Sequence, residues 1–146
     1  MYKHILVAVD GTAASQRALR EAVELAADQH AEIDIVHVVD LTPYGTPEVG
    51  VPVGVYEEAC RAQGRLVLGK ATEYARHAGV EARATLRQRR GTRLSAAIVD
   101  EARIFGADLV VLGAEGHRGL ARWWRNGIAD GVIAATGVPV LQIRPS

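Results

Sequence analysis

Short runs that are apolar on both faces and rich in β-branched residues narrow most what this 146-residue chain can fold into. Ile5-Leu6-Val7-Ala8-Val9 ends at Asp10-Gly11, and Ile33 to Val39 forms a second run. Leu109-Val110-Val111-Leu112 ends at Gly113, and Val138-Pro139-Val140-Leu141-Gln142-Ile143 comes last. A strand with two apolar faces must be covered on both sides, as in a parallel sheet between helix layers. A fifth segment differs: Val80, Ala82, Ala84 and Leu86 alternate with Glu81, Arg83, Thr85 and Arg87. That period of two predicts a half-exposed strand at a sheet edge.

Helical periodicity fills the intervals. Leu19, Ala22, Val23 and Ala26 share one face of a predicted helix over about 12–29. Val67, Ala71, Tyr74, Ala75 and Ala78 do the same before Gly79, a residue suited to the position after a helix end. Gly64 and Gly69 weaken that helix, by about 1 kcal/mol each relative to Ala. Leu94, Ala97, Ile98, Ala102 and Phe105 mark a third helix, stopped by Gly106. Ile128, Gly131, Val132 and Ala135 mark a fourth, stopped by Gly137-Val138-Pro139. The order β-α-β-α-β-α-β-α-β implies right-handed crossovers and a single α/β domain with helices on both faces of a parallel sheet. One segment breaks the pattern. Residues 40–54 carry Pro43, Pro47, Pro52, Gly45, Gly50 and Gly54, and read as a long loop or lid.

Composition removes several function classes. Lys plus Arg is 17 and Asp plus Glu is 17. The chain therefore lacks the global charge expected of a general nucleic-acid or membrane-surface binder. The one cysteine, Cys60, excludes an intramolecular disulfide framework and a cysteine-rich zinc site. No apolar run reaches the ~18 residues of a transmembrane helix. The opening MYKHILVAVD reads as a first strand rather than a signal peptide, so a cytoplasmic location is expected.

Ligands of open α/β sheets bind beyond the carboxyl ends of strands, where the strand order reverses. Two strand ends here carry suggestive residues: Val9-Asp10-Gly11-Thr12, and the stretch from Leu112 to Gly119 that contains Gly113, Gly116 and Gly119. Glycines let backbone amides approach a phosphate closely. The amides of a helix beginning near Asn126-Gly127 favour an anion. Such turns also serve simple chain reversal.

The spacing Gly113-x2-Gly116-x9-Asn126-Gly127 resembles the nucleotide-binding signature G-x2-G-x9-G-S/T of the universal stress proteins. Further matches run along the chain: Ile5 to Gly11, His37-Val38-Val39, Gly91 before the third helix, Ala107 to Gly113, and Gly137 to Leu141. The resemblance implies a Rossmann-like five-stranded sheet of order 3-2-1-4-5 and a homodimer through the last strand, Val138 to Ile143. It also implies, in the members that bind nucleotide, an adenine-nucleotide site for ATP or a relative, with or without magnesium. By that likeness Asp10 and Val38 hold adenine and ribose among the strand-end residues Ala8, Val9 and Leu112. Gly113, Gly116 and the Asn126-Gly127 pair, followed by Ile128, hold the phosphates. The pair departs from the family pattern, because the hydroxyl of G-S/T is missing. Glu115 adds a negative charge between the glycines, against which His117, Arg118, Arg122 and Arg125 offer positive charge.

Plainer readings stand beside these. Asp10 is equally suited to capping the first helix. His37 on a buried strand reads as a satisfied core histidine, and no second ligand sits at zinc spacing. Of the adjacent Trp123 and Trp124, one is expected to pack inward and the other to cover the binding loop or a partner. Arg87, Arg89, Arg90 and Arg93 read as a solvated rim, with a phosphate or nucleic-acid contact as the minority alternative. Three functions compete: a nucleotide-binding stress or regulatory protein, an interaction module whose dimer surface meets an unknown protein partner, and a slow ATP hydrolase. An efficient enzyme is disfavoured. There is no G-x4-G-K-S/T loop and no acidic pair placed for magnesium. Ser15 and Cys60 have no base at a recognisable spacing.

Overall fold

The computed structural model describes residues 1–41, 50–90, 94–113 and 128–144. In chain order its elements are β1 (His4–Ala8), α1 (Ala13–Gln29), β2 (Glu32–Asp40), α2 (Val53–His77), β3 (Ala82–Arg89), α3 (Leu94–Phe105), β4 (Leu109–Gly113), α4 (Ile128–Ala135) and β5 (Val140–Ile143). The strands form one sheet of order β3-β2-β1-β4-β5, and every pairing is parallel. This is the α/β Rossmann-like architecture that the alternating pattern predicts.

Two cores result, one per face. Ile5, Val7, Ile33 and Ile35 pack under α1 and α2 with Leu19, Val23, Leu68 and Ala75. Leu6, Ala8, Val36, Val38, Val110 and Leu112 pack under α3 and α4 with Leu94, Ile98 and Val132. Alternate residues of one strand thus serve different cores, which is why the central strands read as continuous apolar runs. Burying each Val, Leu or Ile contributes about 1.5–3 kcal/mol.

Local chemistry sets the boundaries. Thr12 caps α1, its Oγ1 accepting from the Ser15 N–H at 3.2 Å. The cap is therefore Thr12, and Asp10 acts one step back by holding it: Asp10 Oδ1 accepts from Thr12 N at 2.9 Å and Thr12 Oγ1 at 2.6 Å. Gly79 and Gly106, just past α2 and α3, both have φ +75°, which glycine adopts without steric cost. Asp108 accepts from the backbone N–H groups of Lys3 (2.8 Å) and His4 (3.0 Å), tying the start of β1 to the approach to β4.

Four expectations change. The long segment is shorter than predicted, since β2 runs to Asp40 and α2 begins at Val53; residues 42–49 lie outside the described residues. The last strand starts at Val140 rather than Val138, and the Pro139 carbonyl instead accepts from the Val110 N–H at 3.0 Å. Tyr74 and Ala78 are exposed, because a cleft between α1 and α2 opens beside Tyr74 and Ala78 already lies past the helix end. Gly64 has a positive role: a Cβ there would lie 2.8 Å from Leu86 Cδ1 and 2.9 Å from His37 Cδ2. The missing side chain lets α2 sit against β2 and β3, which offsets its helix-propensity cost.

The α3 face of β3 carries a buried ionic cluster. Asp34 of β2 and Glu101 of α3 are 0% and 2% exposed. Thr85 Oγ1 donates to Asp34 Oδ1 at 2.9 Å, and Arg83 Nη2 donates to Glu101 Oε2 at 2.7 Å. Arg87 Nη1 lies 3.2 Å from Glu101 Oε1. Asp34 Oδ2 has no donor within hydrogen-bond distance, with Arg83 Nε at 3.6 Å. Burial, reinforced by a hydrogen bond to Glu101, pushes the Asp34 carboxyl up to about 7. Burial would also raise Glu101, but the hydrogen bonds from Asp34, Arg83 and Arg87 prevail and lower it. The opposite shifts make Asp34 the member of the pair that takes up a proton first.

A folded value of about 7 against the ordinary 3.8 means that folding retains a proton the unfolded chain releases. That contribution to stability is complete below about pH 4 and is lost as pH rises through about 7. Asp34→Asn supplies an amide N–H donor in place of the carboxyl O–H and removes the titration. Denaturant unfolding of both proteins should give a stability difference that shifts toward the variant by about 2 kcal/mol from pH 5 to pH 7, at about 1.4 kcal/mol per pH unit. Parallel pH profiles would exclude the raised Asp34 pKa.

Candidate functional site

The strand order reverses between β1 and β4, the position at which open α/β sheets bind ligands beyond the carboxyl ends of their strands. The turn after β1 is a closed hydrogen-bonded ring. Asp10 holds Thr12 as described, Ser15 Oγ accepts from the Asp10 N–H at 3.2 Å, and Ser15 Oγ donates to the Thr12 carbonyl at 3.2 Å. Gly11 completes the turn at φ +84°. One oxygen of Asp10 is thereby committed to the fold.

Gly113, the last residue of β4, meets this turn directly. A Cβ there would fall 2.5 Å from the Ala14 carbonyl carbon and 2.6 Å from the Ser15 nitrogen. These are backbone atoms of the first turn of α1, so no side chain is tolerated. Its glycine character is thus a packing requirement, whatever binds nearby. Ala8, Val38 and Leu112 are buried in the α3–α4 core, while Val9 belongs to the α1–α2 core. Of the predicted site residues, Ala8, Val9, Asp10, Val38, Leu112 and Gly113 stand at the carboxyl ends of β1, β2 and β4. Ile128 opens α4. Gly116, His117, Arg118, Asn126 and Gly127, with Trp123 and Trp124, lie outside the described residues.

His37 is a core histidine. Its Nδ1–H donates to the Val9 carbonyl at 2.7 Å, and burial lowers its pKa below the usual value. The arginines at the end of β3 are paired with carboxylates: Arg87 with Glu101 (3.2 Å), Arg89 with Asp100 (2.8 Å), and Arg90 with Glu57. Arg93 lies outside the described residues. Arg87 and Arg89 on the polar face of β3 therefore meet the acids of α3, while Arg90 stays exposed, in keeping with the rim the sequence suggested. Among the described residues, no group of three or more His, Cys, Asp or Glu side chains is placed to hold a metal ion. No helix among them is long and apolar enough to cross a membrane.

Sequence reasoning missed a cleft of about 430 Å³ between α1 and α2, lined from Val9 and Leu19 to Arg20, Lys70 and Tyr74. The available signal was the i, i+4 pair Gln16 and Arg20 on α1, facing the i, i+7 pair Gln63 and Lys70 on α2.

Comparison with known proteins agrees with this architecture. A universal stress protein YxiE of Bacillus subtilis is 32% identical, over 99% of this chain and 100% of its own. A crystal structure of a universal stress protein family member from Burkholderia pseudomallei superposes with a TM-score of 0.79 at 32% identity, covering 99% and 97% of the two chains. The universal stress protein of Archaeoglobus fulgidus in complex with dAMP superposes with a TM-score of 0.68 at 26% identity, covering 97% and 98%. The model of the universal stress protein family matches residues 1–144, and the chain belongs to that family.

Proposed function

We propose that this protein binds an adenine nucleotide, ATP or a relative, in the crevice between β1 and β4, and acts as a homodimeric cytoplasmic stress-response protein. The observation that carries the reading is the junction at Gly113, where the end of β4 abuts the Asp10–Thr12–Ser15 turn. The carboxyl end of β4 and the first turn of α1 thus stand side by side at the point where the strand order reverses, the usual place for a ligand of an open α/β sheet. The dAMP complex of the Archaeoglobus fulgidus relative supports it. By the family likeness Asp10 and Val38, at the ends of β1 and β2, hold adenine and ribose, with an Asp10 carboxylate oxygen meeting the ribose, and the glycine-rich segment to Gly127 holds the phosphates. Glu115 and the Asn126-Gly127 pair favour a second reading, a dimeric interaction module without nucleotide. Mass spectrometry of nucleotide released from the purified protein by denaturation separates the two, since an adenine nucleotide is expected only in the first.

Gly116→Val blocks close backbone approach to phosphate. Calorimetry should show ATP affinity falling tenfold or more, and an unchanged affinity would remove the phosphates from this segment. Gly127→Ser restores a hydroxyl. A hydrogen bond to a charged phosphate contributes about 1.5–3 kcal/mol, so ATP should tighten about tenfold or more while adenosine does not. An unchanged ATP-to-adenosine ratio would show that residue 127 does not meet phosphate.

The dimer is proposed through β5. This strand pairs with β4 on one side, and Leu141 is 39% exposed. Charges or prolines usually protect a free edge, and β5 contains neither. Two copies related by a two-fold axis would pair these edges antiparallel and close the assembly. Sedimentation at micromolar concentration should find a dimer, and Leu141→Lys should shift it toward monomer. A monomeric parent, or a fully dimeric variant, would rule out this interface.

A further inference from the structure

We propose that the cleft between α1 and α2 is a second binding site, for a linear amphipathic anion: an acyl chain with a carboxylate head. Its volume of about 430 Å³ is that of a small-molecule site. Its shape is elongated, because the α2 wall extends from Gln63 to Tyr74, about 16 Å at about 1.5 Å per residue. The floor is apolar, with Val9, Leu19 and Ala71 all buried. Along the rim Leu66 is 60% exposed and Tyr74 39%, apolar surface that an acyl chain would cover.

Charge supplies the head group. Arg20 comes from α1 and Lys70 from α2, and neither has a carboxylate partner among the described residues. By contrast, Arg61 and Arg65 of the same helix both pair with Glu58. Two cations on opposite walls of an apolar trough suit one carboxylate and its chain. The cleft borders the proposed nucleotide crevice at Val9, Gly11 and Ser15, but its body runs along α1 and α2 on the other face of the sheet. Val9 and Leu19 belong to the α1–α2 core, whereas Ala8 and Val38 face α3 and α4 across the sheet. The inference therefore stands whether or not nucleotide binds.

Decanoate and its neutral analogue decanol are the probes, followed by calorimetry and amide chemical shifts on the full chain. Decanoate should bind saturably, at least tenfold tighter than decanol, with shifts along α1 and α2. Arg20→Glu and Lys70→Glu alter exposed side chains and should each weaken decanoate at least fivefold. Lys3→Glu, away from the cleft, should leave it unchanged, and saturating ATP should not displace it. Absence of saturable binding, equal affinity for decanol, or indifference to both charge reversals would overturn the proposal. Full displacement by ATP would overturn it too, by placing decanoate in the other crevice.

Discussion

Coverage of both sheet faces is the constraint on which the rest of the structure depends. A parallel sheet requires long crossovers, and each crossover here lays a helix on a face. α1 and α2 lie on one face, and α3 and α4 on the other, as right-handed crossovers demand for an order that runs outward from β1 in both directions. All carboxyl ends then gather at one end of the sheet. At the central junction the fit is so close that backbone meets backbone, and only the hydrogen of Gly113 separates β4 from the first turn of α1.

Against this apolar plan, the Asp34–Glu101 cluster is an exception with its own logic. Two acids, Thr85 and two arginines tie β2, β3 and α3 together where simple packing would leave an outer strand on one partner. Buried ionic groups seldom add net stability over apolar replacements, but breaking one partner out of such a set costs about 3–5 kcal/mol. The cluster fixes the register of β3 through geometry: Arg83 stands opposite Asp34, and Thr85 opposite Val36. The Arg83 guanidinium also lies 5.5 Å from the Phe105 ring centre, which extends the tie to the end of α3.

The apolar runs of β1, β2 and β4, the helix faces of α1 and α3, and the glycine stops after α2 and α3 were legible, because periodicity and backbone freedom act locally. The family likeness implied the strand order that the sheet has. Other features depended on tertiary context. Asp34 sits in the apolar run Ile33 to Val39 and gave no sign that it meets Glu101, 67 positions later. Arg87 and Arg89 looked solvated because their acidic partners belong to α3. Gly64 looked like a defect in a helix, since the side chains that crowd it come from β2 and β3. The α1–α2 cleft depends on how two helices diverge, which neither amphipathic pattern encodes.

The two margins of the sheet are unlike. β3 carries Arg83, Arg87 and Arg89, each engaged with an acid of α3 or β2, whereas β5 is four uncharged residues. Charged side chains deter a further strand, and uncharged edges invite one. With the proposed pairing through β5, each subunit joins one copy of itself and turns its guarded margin outward. The polarity of the sheet thus bears on growth: ribbons and fibrils need adhesive margins on both sides, and the arginines of β3 disfavour one of them.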